Sequence, residues 1–503
     1  MAKTAISPTR AEDYPGWYQQ IIRAADMAEN SPVRGCMVIK PWGYGIWELV
    51  SRALDDRIKA TGHDNCYFPL FIPLRFIEKE AQHVEGFAKE MAVVTHHRLA
   101  MKDGKLTPAG ELEEPLIVRP TSETIIGEAF ANWIQSYRDL PVLINQWCNV
   151  VRWELRPRIF LRTSEFLWQE GHTAHATSEE AMEETFRMLE VYREVVEEVM
   201  AIPVIPGEKS EGERFPGADR TITIEAMMQD GKALQSGTSH FLGQNFAKAA
   251  DIKFQTREGG MEHAWTTSWG ISTRLIGALI MTHGDDDGLR LPPKIAPRQV
   301  MIVPIIRSPE QEEAVFAYAD RLAAELAAQS FDGAPVRVRV DKRDMPAQDK
   351  RWEWIKKGTP IVAEVGPRDI ENDGVAYVRR DRLGEKKAIL GRGEFVSGIA
   401  RQFTELHQAL YDQALAYRTA RMRTDIVDFA AFREYFGGTG AESYDAERGF
   451  VRAKWCGETG SEAMLGELGV SIRCLPFDQS GSAGKCVLTG KPATLDAIFA
   501  KAY

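Results

Sequence analysis

Residues 149–176 read NVVRWELRPRIFLRTSEFLWQEGHTAHA, and this stretch constrains the fold more than any other. Its β-branched and aromatic runs at 150–155 and 164–170 predict two strands of an antiparallel hairpin. Arg156, Pro157, Arg158 and Arg162 lie between them and form a predicted basic tip. Side chains alternate across a strand, so Arg152 and Glu154 share one face of the first strand, and Phe166, Trp168 and Glu170 share one face of the second. Such a face suits a nucleotide: a guanidinium fork binds phosphate, a ring stacks on a base, and a carboxylate accepts from an exocyclic amine. For the hairpin taken alone, ordinary cross-strand pairing beneath a charged outer face is the alternative.

A chain of 503 residues exceeds what one core holds, and domain-size statistics predict about three domains. Apolar residues make up 44% and charged residues 27%, the balance of a globular protein, and no apolar run nears the roughly 18 residues of a membrane span. The first residues hold no apolar secretory core, and the six cysteines are scattered rather than arrayed as a disulfide framework. A reducing cytoplasm is therefore expected. A net charge of −10 argues against nucleic-acid binding by the whole surface, although local basic loops remain able to grip an RNA.

Residues 41–62 place Ile46, Leu49, Val50, Ala53, Leu54 and Ile58 at helical spacing ahead of Gly62, predicting an amphipathic helix with a C-cap glycine. Residues 65–73 read as a strand that Pro69 and Pro73 confine to an edge or bulge. Together these two elements are a candidate dimer seam, or plain packing within one subunit. Residues 85–95 carry a predicted Gly86-Phe87 turn, and 116–124 a strand that breaks at Arg119-Pro120. Beyond the break, Thr121 and Glu123 hold a substrate ammonium group, or Thr121 or Ser122 caps a helix, or both. Residues 177–200 predict a helix opened by a capping box of Thr177 with Glu180. Residues 221–226 alternate as a strand, and 233–244 place Gln235, Thr238 and His240 on a Gly/Ser-rich turn that a ligand can approach closely. A histidine there is a catalyst or a structural hydrogen-bonder. In 265–280 a strand, a glycine and a helix carry Arg274 in an apolar segment, where a buried guanidinium requires an anionic partner such as phosphate.

Prolines at 291–297 mark a linker. Predicted strands at 300–306, 336–340, 360–365 and 375–379, with a helix at 310–329, describe an α/β domain of about 100 residues. A long helix over 393–422 leads to a third region, 425–503, containing Cys456, Cys474 and Cys486.

Together these residues resemble those of the prolyl-tRNA synthetases, class II aminoacyl-tRNA synthetases, in the form with a C-terminal extension found in archaea, eukaryotes and some bacteria. Motif 1 of that class resembles the helix and strand ending at Pro69. Motif 2 resembles Arg152-Trp153-Glu154 through Arg162, Phe166 and Glu170, and motif 3 the segment holding Arg274; TSE, FLWQEGHTAH, GTSH and TTSWG accompany them. The similarity implies an α+β fold, with a class II catalytic domain on an antiparallel sheet (1–293), an α/β anticodon-binding domain (297–402) and a C-terminal α/β domain of zinc-binding type (403–503). It implies ligation of proline to tRNA(Pro) with ATP and Mg2+ by a cytoplasmic homodimer, with neither DNA nor membrane as a partner.

In the roles the resemblance implies, Arg152 holds the α-phosphate and the proline carboxylate, and Arg274 the γ-phosphate. Phe166 stacks the adenine, Glu154 accepts from its amine, Arg162 reaches the phosphate tail, and Gln235 and Thr238 contact the nucleotide. Thr121 and Glu123 take the secondary ammonium of proline, while Trp168, Glu170, Phe215, His240 and Ser268 shape the pocket around its ring. This chain has Ser164 where the family usually carries arginine, and Ser236 where it carries glycine or alanine. In the second domain 346–350 lacks the expected glycine, and an arginine expected near Val362 is absent, while EVGPRD at 364–369 is kept. A threonyl or histidyl synthetase is one alternative, and a non-catalytic tRNA-binding paralogue another, although Arg152, Arg162 and Arg274 are all present.

Relatives of this family often bind a structural zinc in the third region through four cysteines arranged as two pairs. Here the first pair reads Cys456 and Ser461, and the second Cys486 and Thr489. Hydroxyls are poor zinc ligands at neutral pH, so zinc is not expected, and Ile472, Leu475, Phe477, Leu495 and Ile498 are the candidate apolar core instead. Elemental analysis after dialysis should give less than about one-tenth zinc per subunit, and chelator should leave thermal stability unchanged, since a structural zinc contributes roughly 10 kcal/mol or more. Stoichiometric zinc released only on unfolding would contradict this.

Overall fold

A computed structural model describes residues 5–79, 91–437 and 448–503. The predicted Gly86-Phe87 turn lies outside them. An eleven-stranded sheet dominates, in the spatial order Met422–Arg423, Phe450–Trp455, Leu495–Ala500, Ser471–Pro476, Val204–Glu208, Arg220–Met227, Ala233–Gly243, Trp265–Ser272, Glu165–His175, Val142–Val151 and Asp64–Asn65. Its central pairings are all antiparallel, and the two outermost pairings are parallel.

Period-two alternation gives this sheet two unlike faces. Ile222, Ile224, Trp269 and Ile271 point to one side, into the main core with Ile46, Val50, Leu54 and Ile58 of the helix Pro41–Ala60 and Met188 and Tyr192 of the helix Ser178–Glu194. Thr221, His240, Ser268 and His172 face the other side in cross-strand register. The Pro41–Ala60 helix begins on proline and is followed by Gly62 at φ +93°, a left-handed turn that only glycine adopts freely.

The second region is a five-stranded sheet in the order Val338–Val340, Val300–Pro304, Ile361–Val365, Gly374–Arg379 and Ala388–Gly391, parallel at its first two pairings and antiparallel at the rest. The helix Glu312–Ala327 buries Val315, Tyr318, Leu322 and Leu326 against it. Arg380, nearly fully buried, grips Asp285 of the first region through Nη1 (2.8 Å) and Nη2 (2.5 Å).

Several expectations need correction. The first motif strand stops at Val151, so Arg152 and Glu154 stand just beyond it. The hairpin tip is not simply basic, because Ile159, Phe160 and Leu161 turn back into the main core and Tyr18 Oη donates to the Ile159 carbonyl at 2.8 Å. Residues 233–244 are not a turn: Ala233–Gly243 is a central strand, its small residues accommodating close packing by Tyr192 and Ile271 at Gly237. Residues 65–73 divide between Asp64–Asn65 on the large sheet and Phe71–Pro73 on a separate three-stranded sheet, since Pro69 cannot donate within a ladder. The helix expected over 393–422 is two, Arg392–Ser397 and Ile399–Ala420, separated at Gly398. Thr177 caps the Ser178–Glu194 helix by accepting from Glu180 N, but the Glu180 carboxylate accepts from Ala176 N rather than from Thr177 N, so the box is not reciprocal.

The third region is no separate layer. Leu475 and Pro476 pair with Glu208 and Gly207, so its strands extend the large sheet. Ile472 and Ile498 are buried as expected, but Phe477 is 43% and Leu495 38% exposed because they stand past or at the ends of their strands; Phe432, Trp455, Leu465 and Phe499 fill that core instead.

At Gly171 the backbone is closely approached by the core. A Cβ there would sit 2.0 Å from the Trp269 ring, which is buried against Tyr192 and His63. Gly171→Ala should lower stability by about 3 kcal/mol, the upper end for overpacking, read as an earlier urea midpoint. An unchanged midpoint would show that Trp269 can repack.

Candidate active site

On the polar face the sheet opens into a cavity of about 340 Å³. It is lined by every residue given an ATP- or proline-contacting role above except Glu154 and Arg162, which line an adjoining recess of about 210 Å³ with Arg152, Phe166 and Arg274. Residues from six separate chain segments thus meet at one place, where four adjacent strands present side chains and the segments holding Thr121, Arg152 and Phe215 close over them.

At one end are three arginines. Arg152 stacks over the rings of Phe166 and Trp168, its Cζ 5.7 and 5.3 Å from their centroids, and its Nε donates to the Pro120 carbonyl at 2.8 Å. Burial lowers its pKa, and Glu123 and Glu170 act in the opposite sense. Arg274 opens the helix Arg274–His283. Burial, reinforced by the charges of Arg162 and Arg152, brings its pKa down to about 10, which leaves it cationic at neutral pH. Mutually repelling guanidinium groups around a cavity are an anion site, and a polyanion relieves the repulsion. Gln235 and Thr238 line the same cavity. The Glu154 carboxylate accepts from Arg156 N at 2.9 Å, and Ser164 Oγ accepts from Glu154 N at 3.3 Å, so Ser164 fastens this loop.

The other end is acidic. Thr121 Oγ1 donates to Glu123 Oε2, both side chains being nearly buried at the start of the helix Glu123–Trp133. Ser122 occupies the N-cap position without making a side-chain cap; its hydroxyl donates to Glu170 instead. Glu170 also accepts from Gln146 Nε2 (2.8 Å) and Cys148 Sγ (3.3 Å), and lies 3.0 Å from His172 Nε2. Burial alone would raise the Glu170 pKa, but His172, Ser122 and Gln146 hold it below the usual carboxylate range; burial likewise opposes charge on His172, and Glu170 raises its pKa overall. The two face each other as a buried carboxylate–imidazole pair that is ionic whenever His172 is protonated.

Between these ends Phe215 packs on the His240 ring at 4.6 Å, and His240 Nδ1 lies 3.0 Å from Thr221 Oγ1. Burial, with His172 nearby, pushes His240 down to about 3, so its imidazole is neutral. Ser268 Oγ is buried without a protein partner among the described residues. A slot walled by Trp168, Phe215 and His240, with buried carboxylates and arginines lining the same cavity, has the chemistry to suit a small apolar zwitterion next to a polyphosphate.

His172, Ser122, Gln146 and Cys148 were missed from the sequence. His172 carried a signal, standing two residues after Glu170 and hence on the same face. The other three touch Glu170 only through tertiary folding. In the third region Cys456 Sγ lies 3.7 Å from Thr489 Oγ1, while Ser461 Oγ accepts from Trp455 Nε1 and donates to the Glu458 carbonyl, so that hydroxyl is committed away from a metal position. Among the described residues no group of three or more histidines, cysteines and carboxylates is placed to hold a metal ion.

Three family profiles match the chain: the class II tRNA synthetase core domain (G, H, P, S and T) over 107–283, the anticodon-binding domain over 299–402, and the C-terminal domain of prolyl-tRNA synthetase over 442–503. The first of these, on an antiparallel sheet with motif arginines around its cavity, makes this a class II aminoacyl-tRNA synthetase. Proteins called proline--tRNA ligase are 63% identical in Protochlamydia amoebophila, 62% in Paramagnetospirillum magneticum and 57% in Bdellovibrio bacteriovorus, each aligned over 100% of this chain and at least 99% of the relative. The chain belongs to the prolyl-tRNA synthetase family.

Because the folded pKa of His172 is raised, the stability it contributes is fully present below the unfolded value of about 6.5 and is lost as pH rises through the folded value. His172→Gln should therefore destabilise the protein more at pH 6 than at pH 9, measured as the wild-type-minus-variant difference in urea midpoint. A pH-independent difference would mean that the pair is not ionised.

Proposed function

We propose that this chain activates L-proline with MgATP and transfers it to the 3′ end of tRNA(Pro), and that the cavity described above is where both steps occur. The carrying observation is the convergence of Arg152 and Arg274, with Arg162 in the adjoining recess, beside the buried Thr121–Glu123 and Glu170 cluster.

In activation, a carboxylate oxygen of proline attacks the α-phosphorus of ATP, forming the mixed anhydride and releasing pyrophosphate. Negative charge moves onto the α-phosphate and the leaving group, so fixed cations serve the step better than a base. Arg152 bridges the proline carboxylate and α-phosphate, pre-aimed by its bond to the Pro120 carbonyl. Arg274 and Arg162 meet the outgoing phosphates. Phe166 stacks on adenine, with Glu154 accepting from its amine once released from Arg156 N, and Gln235 and Thr238 contact the nucleotide. Thr121 and Glu123 accept the secondary ammonium, while Trp168, Glu170, Phe215, His240 and Ser268 enclose the ring. A neutral His240 suits an apolar ring better than an imidazolium does. In transfer, a ribose hydroxyl of the terminal nucleotide attacks the prolyl carbonyl and AMP departs.

The three regions divide at residues 1–293, 297–402 and 403–503, the second binding the anticodon. The protein works as a homodimer in the cytoplasm. The exposed Tyr67 and Phe71, next to the short edge strand Asp64–Asn65, support an assembly there, and six free cysteines suit a reducing compartment. No helix among the described residues is long and apolar enough to cross a membrane.

ATP–pyrophosphate exchange across the amino acids tests the substrate, since proline should drive exchange at the lowest concentration. Arg152→Ala should reduce proline-dependent exchange by at least roughly 10²-fold, the scale for loss of one preorganised donor. A folded variant with near-normal exchange would overturn the assignment.

A further inference from the structure

One strand borders the cavity without lining it. Along Val142–Val151, Gln146 stands opposite Glu170 and Cys148 opposite Trp168 in cross-strand register, so both lie on the face from which those two residues line the cavity. Gln146 bonds to Glu170 alone of the pair, whereas Cys148 bonds to both. Its sulfur accepts from the indole Nε1 of Trp168 at 3.1 Å, and its thiol donates to Glu170 Oε1 at 3.3 Å. Burial, and then the charge of Glu170, push the thiol pKa well up, so the group stays protonated and able to donate and accept at once.

Losing these two bonds would not weigh equally on Trp168 and Glu170. Glu170 keeps Ser122, Gln146 and His172. The indole has no such reserve: among the described residues its N–H donates to Cys148 alone, and its other contacts are an edge-to-face packing with Phe166 at 6.1 Å and the Arg152 guanidinium over its ring at 5.3 Å. The outer side-chain torsion of a tryptophan has broad, roughly two-fold wells, so a bond at the edge of the ring is what selects one orientation.

We propose that Cys148 is a positioning residue for amino-acid selection, which orients the Trp168 wall and so sets the fit of the slot around a proline ring without touching it. This rests on the proline assignment made above. It separates proline from ATP, because Arg152 keeps its bond to the Pro120 carbonyl and its place over Phe166 when the indole loosens. It also separates proline from alanine, whose methyl group extends less far than a ring and gains less from a fixed wall.

Proline- and alanine-dependent ATP–pyrophosphate exchange by the full-length protein tests it. Cys148→Ala removes donor and acceptor; it should raise the KM for proline about fivefold, the scale of one hydrogen bond, leave the KM for ATP within about twofold, and lower the proline-over-alanine ratio of kcat/KM about fivefold. Cys148→Val, which fills the space of the thiol but offers neither bond, should give the same split, so the result does not hang on one variant folding. Cys148→Ser, whose hydroxyl can make both bonds, should recover most of the ratio. In a Trp168→Phe background, which keeps a ring but has no N–H, Cys148→Ala should change the KM for proline by less than about twofold. An unchanged KM for proline in Cys148→Ala or Cys148→Val, equal rises for proline and ATP, or an undiminished effect in the Trp168→Phe background would overturn the proposal. Wild-type exchange driven by another amino acid at lower concentration than proline would instead overturn the proline assignment, so the two failures are distinguishable.

Discussion

The strict alternation of side chains along one antiparallel sheet is the constraint on which the site depends. Trp269 and Ile271 enter the main core, and Ser268 and Gly270, one position out of phase, face the cavity. A slip of one residue in any central pairing would exchange these sets, exposing apolar rings and burying hydroxyls. Core packing and substrate geometry are thus held by the same register. The Gly171–Trp269 contact marks how little slack exists between them.

Against that scaffold the electrostatics are polarised. Arginines gather at one end of the cavity, and buried carboxylates held by hydrogen bonds gather at the other. The acidic end is made rigid by its own network, because Glu170 accepts from three elements at once. At the basic end the charges of Arg152 and Arg162 oppose that of Arg274, an arrangement that costs stability in the free protein and is relieved by an anionic ligand.

Much of this was legible in the sequence. The site residues could be named because their chemistry is local, as in an arginine in an apolar helix start or a ring two residues from a carboxylate, and because the motifs resemble a known family. What sequence could not supply was long-range partnership. Nothing near Glu170 announces Gln146 or Cys148, which reach it across the sheet. The strand 233–243 has the composition of a turn, because its glycines and serines serve close packing under Tyr192. The apolar Ile159, Phe160 and Leu161 within the arginine loop were the sign that its tip folds inward, and the basic residues around them masked it.

The continuation of the large sheet into the third region also bears on how the chain is made. During synthesis Val204–Glu208 gains its neighbour Arg220–Met227 early, but its other flank is covered only when Ser471–Pro476 leaves the ribosome. Through the translation of everything between, the nascent protein carries an open strand edge of the kind that recruits other chains. The neighbouring Lys209 and Glu225 place charge beside that edge, which makes pairing with a stranger costly until Arg473 arrives to bind Glu225.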